Sequence, residues 1–283
     1  MINAGLVLEG GGMKGIYTAG VLDFFLDKNL SFAYYYGVSA GACTMSSFLS
    51  KQKGRGRDVM LDYLNDRHYM GLYSLATTGD IFNVDTNYNL IPNYLNPYDY
   101  DAFAKHEGKA FAVVTDIESG EAVYHELTDM EKDIDYIRAS SSLPLVSKNV
   151  KIDGHLYLDG GIADSIPIKR SEADGNVKNI VVMTKSEGYR REPEKTVSLI
   201  KAKYRKYPKV YELMKNRHVV YNETVDYIEE QASQGKLFLI RPHTDLEISR
   251  LEKDSEKLSV LYEQGYNDAA SKYEAMMEYL NEK

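Results

Sequence analysis

Residues 33–43 read AYYYGVSAGAC, and Gly37-Val38-Ser39-Ala40-Gly41 at their centre spells G-x-S-x-G. The run Phe32 to Val38 is aromatic and β-branched, as suits a strand, while Ala40 to Leu49 is small and apolar, as suits a packed helix. Ser39 therefore stands on a strand-to-helix turn. A glycine on each side lets the chain reverse sharply and leaves the hydroxyl clear at the end of a sheet. The five letters alone leave two readings open, a nucleophile on an elbow or a serine in a tight turn.

Toward the N-terminus, Gly5 to Glu9 reads as a short buried strand running into Gly10-Gly11-Gly12. Ile16, Ala19, Val21, Leu22, Phe25 and Leu26 then recur at helical spacing. Strand, glycine loop, helix, strand, elbow and helix make the pattern of a parallel sheet covered by helices.

Gly10 to Gly15 also fits G-x-G-x-x-G, and three readings of it compete. A dinucleotide site needs an acidic residue ending the second strand, about 20 positions on. Here that strand ends in Gly37-Val38-Ser39, and Asp23 and Asp27 fall in the intervening helix. A bare tight turn is the second reading, opposed by the backbone entropy that consecutive glycines lose on folding. In the third, the loop aims N–H groups at the oxyanion formed when a serine attacks an ester, one donor contributing about 2.7–4 kcal/mol. Adjacent parallel strands would set this loop beside the elbow, at the carboxyl ends where open α/β sheets bind ligands.

Composition narrows the class. A chain of 283 residues, 43% hydrophobic and 27% charged, is ordinary for a globular protein of one large or two modest domains. A net charge of −8 argues against wholesale binding of nucleic-acid phosphates. The single cysteine, Cys43, cannot form an internal disulfide, and no signal-peptide pattern follows Met1, so a cytoplasmic location is expected. No run approaches the roughly 20 apolar residues of a membrane span, which leaves only peripheral contact with lipid. The 24 tyrosines suit partly wet pocket walls.

Further along, residues 51–58 (KQKGRGRD) read as a solvated connection, and residues 69–103 as loops and short helices, part of a lid. Lys109 to Thr115 and Glu121 to Glu126 are two strands, and Thr128 with Glu131 forms a capping box that opens a helix to about Ala139. Strands at Val150 to Asp153 and His155 to Leu158 precede Asp159-Gly160-Gly161, and Val177 to Thr184 is another strand. Residues 185–217 hold eleven Lys or Arg against four Asp or Glu. That excess reads either as a solvated helix face or as a surface leaning on anionic lipid at the inner membrane. Two helices flank a strand at Lys236 to Ile240, which places a boundary near 195.

A serine nucleophile needs a base. Of the six histidines, His243 follows a strand and lies after Asp159, in the Ser, Asp, His order of α/β-hydrolases, but an elbow after the second strand disagrees with that fold. Asp159 closes a strand and is followed by two glycines, which either forms a plain Asp-Gly turn or leaves a carboxylate unobstructed at a sheet end.

Glu9-Gly10-Gly11-Gly12-Met13-Lys14-Gly15, Gly37-Val38-Ser39-Ala40-Gly41 and Asp159-Gly160-Gly161, in this order, resemble the patatin-like phospholipase family. Arg138-Ala139-Ser140-Ser141-Ser142-Leu143-Pro144 and Ile166-Pro167 add to the resemblance, which covers residues 4–190. It implies a three-layer α/β/α fold with a mostly parallel central sheet. Residues 1–195 would be the catalytic domain, and residues 196–283 a mostly helical C-terminal extension packed on it. It further implies a serine lipid acyl hydrolase of phospholipase A or lysophospholipase type, with Ser39 as nucleophile and Asp159 as base. Gly10, Gly11 and Gly12 would join the Ala40 N–H as oxyanion donors, and Gly15, Gly37, Gly41, Gly160 and Gly161 would shape the motifs. Glu9 departs from the Asp often found there. Lys14 either anchors the loop or an anionic head group, or is a solvated lysine. No cofactor or metal is implied, and the implied partner is an acyl lipid rather than nucleic acid. An acyltransferase or thioesterase with the same acyl-enzyme, and a non-catalytic nucleotide-binding or regulatory module, are the alternatives.

Overall fold

A computed structural model of the chain describes residues 1–244 and 246–282. Strand β1 (Ile2–Leu8) passes through the glycine loop and a 3-10 turn, Gly12–Gly15, into helix α1 (Ile16–Asp27), and β2 (Phe32–Val38) passes through Ser39 into α2 (Ala40–Leu49). Helices α3 (Arg55–Leu61) and α4 (Leu72–Thr78), a π-helix at Thr86–Leu95 and α5 (Tyr100–Ala104) follow. The hairpin of β3 (Lys109–Asp116) and β4 (Ala122–Glu126) leads to α6 (Met130–Ser140), then to a second hairpin, β5 (Val150–Ile152) and β6 (His155–Asp159). After a 3-10 turn at Gly160–Ile162 come α7 (Ile168–Ala173) and β7 (Asn179–Val182). Helices α8 (Val197–Lys203) and α9 (Pro208–Ser233), strand β8 (Phe238–Ile240) and helix α10 (Ser255–Asn281) end the chain.

The strands form one sheet in the order β5-β6-β3-β2-β1-β7-β8, with β4 also on β3. The pairs from β3 to β8 are parallel, and β4, β5 and β6 are joined by antiparallel pairs. Parallel pairing needs long crossovers, and α1 provides one between β1 and β2. It also needs both faces covered, which is why β7 is buried throughout and β3 everywhere past its first residue. Alternation along β1 divides the core: Leu6 and Leu8 face one apolar layer with α1 and α10, and Val7 faces the other with Tyr221, Val225 and Ile228 of α9. The two long C-terminal helices thus cover opposite faces of the sheet, and β8 extends its edge.

Helix α10 meets α1 through glycines. A Cβ added at Gly265 would lie 2.1 Å from the Tyr17 carbonyl oxygen, and one at Gly20 2.1 Å from the Tyr262 oxygen. Gly265→Val therefore forces the helices apart and is expected to cost about 1–3 kcal/mol, measured as a lower denaturation midpoint. An unchanged midpoint would show that α10 does not pack this closely.

Three expectations from the sequence are corrected. Residues 51–58 are not a plain solvated connection, because Gly54 caps α3 and Arg55 and Gly56 turn inward toward the cavity described below. The capping box of Thr128 and Glu131 does not form. Asp129 is the cap, accepting from the Glu131 N–H at 3.1 Å, and Thr128 N–H instead donates to Asp133 at 2.7 Å. A charged carboxylate one residue nearer the helix satisfies its first turn. The basic stretch 185–217 is not one face either. Lys185 and Arg217 are buried, while Lys201, Arg205 and Lys206 are exposed.

Candidate active site

Pairing along β3 decides what meets at the site. Strand β4 holds one edge of β3 from Phe111 to Thr115. On the other edge β2 pairs as far as Val113, and β6, running the opposite way, pairs from Val114. The two strands therefore approach end to end. Ser39, just past Val38, is brought together with Asp159, the last residue of β6. Ser140 clamps the junction: its hydroxyl accepts from the Ser39 N–H at 2.8 Å and donates to the Val113 carbonyl at 2.7 Å. This is the serine-rich segment singled out in the sequence.

Ser39 has φ 54° and ψ −124°, a conformation L-residues avoid, and holding it costs on the order of 1–3 kcal/mol. The residues two positions away on each side, Gly37 and Gly41, are glycines because backbone crowds them. A Cβ at Gly37 would lie 2.6 Å from Ala42 Cα, and one at Gly41 2.5 Å from the Leu8 oxygen. Gly10 approaches the elbow so closely that a Cβ there would sit 2.8 Å from Ser39 Cβ, and Gly15 packs against Ala40. In the loop, Gly11 lies against Thr184, and the Met13 N–H is taken by the Arg250 carbonyl at 3.1 Å. Among the described residues the N–H groups of Gly10, Gly11, Gly12 and Ala40 have no backbone acceptor, and these four residues line the same cavity as Ser39.

Glu9 braces this loop. Its carboxylate accepts from Thr184 N–H at 2.6 Å, Thr184 Oγ1 at 3.0 Å and Tyr221 Oη at 2.7 Å, joining β1 to the end of β7 and to α9. Lys14, in the 3-10 turn, is close enough to Lys185 to hold its ammonium down.

Asp159 is almost wholly buried. Desolvation pushes its carboxyl above the ordinary range, opposed by the Arg217 guanidinium, by the Ser39 side chain and by the Gly161 N–H, which donates to Oδ1 at 2.7 Å. Arg217 comes from α9 and donates through Nε to the Gly161 carbonyl. Burial, together with the nearby Arg191, lowers Arg217 to about 9. Gly160 presses its backbone against Val113, so a side chain there would displace the β3 edge.

Ser39, Asp159 and the glycine loop open into a cavity of about 360 Å³, a size usual for small-molecule sites. One wall is apolar, built of Met60, Tyr69, Phe82, Tyr88, Ile91 and Ile137, with the segment 69–103 supplying much of it. The other wall carries Lys185, Arg191, Arg217 and Arg250. Arg55 also reaches the cavity, stacked on Tyr98 at 5.0 Å, with its Nε buried and without an acceptor among the described residues. Sequence reasoning missed Arg55, Arg191, Arg217 and Arg250; the charge density of 51–58 and 185–217 hinted at the first three, and nothing hinted at Arg250. Cys43, one turn beyond Ser39, is pushed up by burial and lies 3.5 Å from Ser141 Oγ. Among the described residues no histidine lines the cavity. His243 is mostly exposed and pairs with Asp268 at 2.7 Å.

Fold and site together define a class: α/β proteins with a strained elbow serine and a glycine loop at the carboxyl ends of neighbouring parallel strands. The chain belongs to the patatin-like phospholipase family, whose model matches residues 6–170. A domain of unknown function, DUF6363, matches residues 207–281. The uncharacterized protein YjjU of Escherichia coli is 34% identical over 183 residues, 63% of this chain and 51% of that protein. The probable lipid hydrolase 463L of Invertebrate iridescent virus 6 is 25% identical over 194 residues, 62% of this chain and 65% of that protein. The chain thus spans about half to two thirds of the length of these relatives. VipD from Legionella pneumophila shares the fold, with a TM-score of 0.50 and 15% identity over 99% of this chain and 67% of that one. Among the described residues no helix is long and apolar enough to cross a membrane.

Proposed function

We propose that the chain is a serine lipid acyl hydrolase working through a Ser39 and Asp159 dyad. The observation that carries this reading is the end-to-end meeting of β2 and β6, which puts a strained serine and a buried carboxylate in one largely apolar cavity. Asp159 takes the Ser39 proton as Oγ attacks the ester carbonyl carbon. The oxyanion is received by the N–H groups of the glycine loop and Ala40, at the positive end of α2. As the C–O bond breaks, the proton passes to the departing alcohol. Water then repeats the sequence on the acyl-enzyme and releases the fatty acid. The apolar wall holds the acyl chain.

Asp159 must be ionised to accept a proton, and burial raises the pH at which it ionises. The acid limb of kcat/KM is therefore expected above the ordinary carboxylate value of about 4. Arg217 is the largest influence holding that carboxyl down, so Arg217→Met moves the limb to still higher pH. A limb that stays or falls in a variant that still melts cooperatively contradicts the assignment.

The hydrolase reading is tested by product analysis with mass spectrometry, after wild type and Ser39→Ala are each incubated with a mixed lipid extract. Free fatty acid and the matching deacylated lipid are expected from wild type alone. Equal products from both proteins would overturn it.

A further inference from the structure

Four cations converge on the wall of the cavity beside the glycine loop. Lys185 follows β7, Arg191 lies in the loop after it, Arg217 is on α9 and Arg250 precedes α10. The last two fall in or between helices of the segment 207–281, to which no function is attached.

None of the four forms an ion pair among the described residues. Among the described residues Lys185 donates only to Thr184 Oγ1 at 3.0 Å, and the Arg191 guanidinium lies 4.5 Å from the Tyr221 ring centre, with its Nε buried and without an acceptor. Nearby carboxylates offset them only in part: Glu9 acts on Lys185, and Asp159 and Glu194 act on Arg217, without pairing directly with any of the four. Both Glu9 oxygens are committed to Thr184 and Tyr221, and one Asp159 oxygen to Gly161. Burial brings Lys185 down to about 8, opposed by Glu9 and reinforced by the like charges of Lys14, Arg191 and Arg250. Lys185 and Arg217 are buried, Arg191 is half-buried and Arg250 is exposed, and holding two buried cations beside two further ones is costly unless an anion completes the set. Guanidinium forks match the oxygens of a phosphate.

We infer that the C-terminal segment completes an anion-binding subsite, in which Arg250, Arg217, Arg191 and Lys185 receive the phosphate of an acyl lipid. The subsite lies on the glycine-loop side of the cavity, across from the apolar wall. A bound lipid therefore places its ester between the two, at Ser39. That placement rests on the hydrolase reading, whereas the binding of the anion does not.

Binding is measured by calorimetry on the Ser39→Ala protein, so that turnover plays no part. The probes are a lysophosphatidic acid, the uncharged monoacylglycerol of the same acyl chain, and inorganic phosphate. The lysophosphatidic acid is expected to bind at least tenfold more tightly than the monoacylglycerol, with inorganic phosphate competing against the former alone. Adding Arg250→Gln or Arg191→Gln shrinks that preference by about tenfold, in variants whose melting is checked. Lys206→Gln, on the exposed part of the same basic stretch, leaves the preference in place. Equal binding of the two lipids, or a preference that survives both arginine changes, overturns the subsite. Binding of inorganic phosphate without any preference between the lipids overturns the assignment to a lipid head group. If the wild-type protein prefers the phosphate-bearing lipid but releases no fatty acid from it, the hydrolase reading fails and the subsite stands. If the two lipids bind equally and are hydrolysed equally, the subsite fails and the hydrolase reading stands.

Discussion

Ser39→Ala is expected to lower release of fatty acid by at least about 10³-fold and to abolish covalent labelling by a fluorophosphonate probe, because it removes the only atom proposed to bond to the acyl group. Whatever catalysis persists would come from the oxyanion donors and binding alone. Ser39→Gly separates chemistry from conformation. It removes the same hydroxyl, but it also lets the φ of 54° be held without a Cβ, so its melting midpoint should rise by the equivalent of about 1 kcal/mol. Alanine keeps the strain and should not be stabilised. Labelling that is equal in wild type and Ser39→Ala, or absent from both, removes Ser39 from the role of nucleophile.

Asp159→Asn keeps the shape of the side chain and can still accept from the Gly161 N–H, but it cannot take a proton. A loss of about 10²–10⁴-fold in kcat is expected, the usual contribution of general base catalysis. Arg217 then loses its nearest opposing charge, so melting is measured alongside to show that the loss is chemical. His243→Ala should retain wild-type turnover, since its ring pairs with Asp268 away from the cavity. If His243→Ala were inactive and Asp159→Asn active, a Ser, Asp, His arrangement would replace the dyad.

Much of the fold was legible because local signals agreed with one another. Short apolar strands ended in glycine, and Ile16 to Leu26 showed a helical period, so the alternation of strand and helix at the N-terminus implied a parallel sheet. Two local readings failed for local reasons. The capping box matched by letters, but Asp129 stood closer to the helix than Thr128, and KQKGRGRD looked solvated because composition cannot show that Arg55 points inward. The segment 69–103 was readable only as loops and short helices, and its contribution to the cavity wall required its fold.

The sequence by itself determined the elbow, the glycine loop and the aspartate, because each is a backbone requirement written in consecutive residues: a turn that only glycine neighbours permit, or a strand end left clear. Only the tertiary structure decided that Ser39 and Asp159 share a cavity, since their meeting depends on two strands taking successive stretches of one edge of β3. It likewise decided that Arg217 reaches the Gly161 carbonyl and that Arg250 lies against Gly12 of the glycine loop. Side-chain direction at such separations is set by packing of α9 and α10 on opposite faces of the sheet, and no local pattern encodes it.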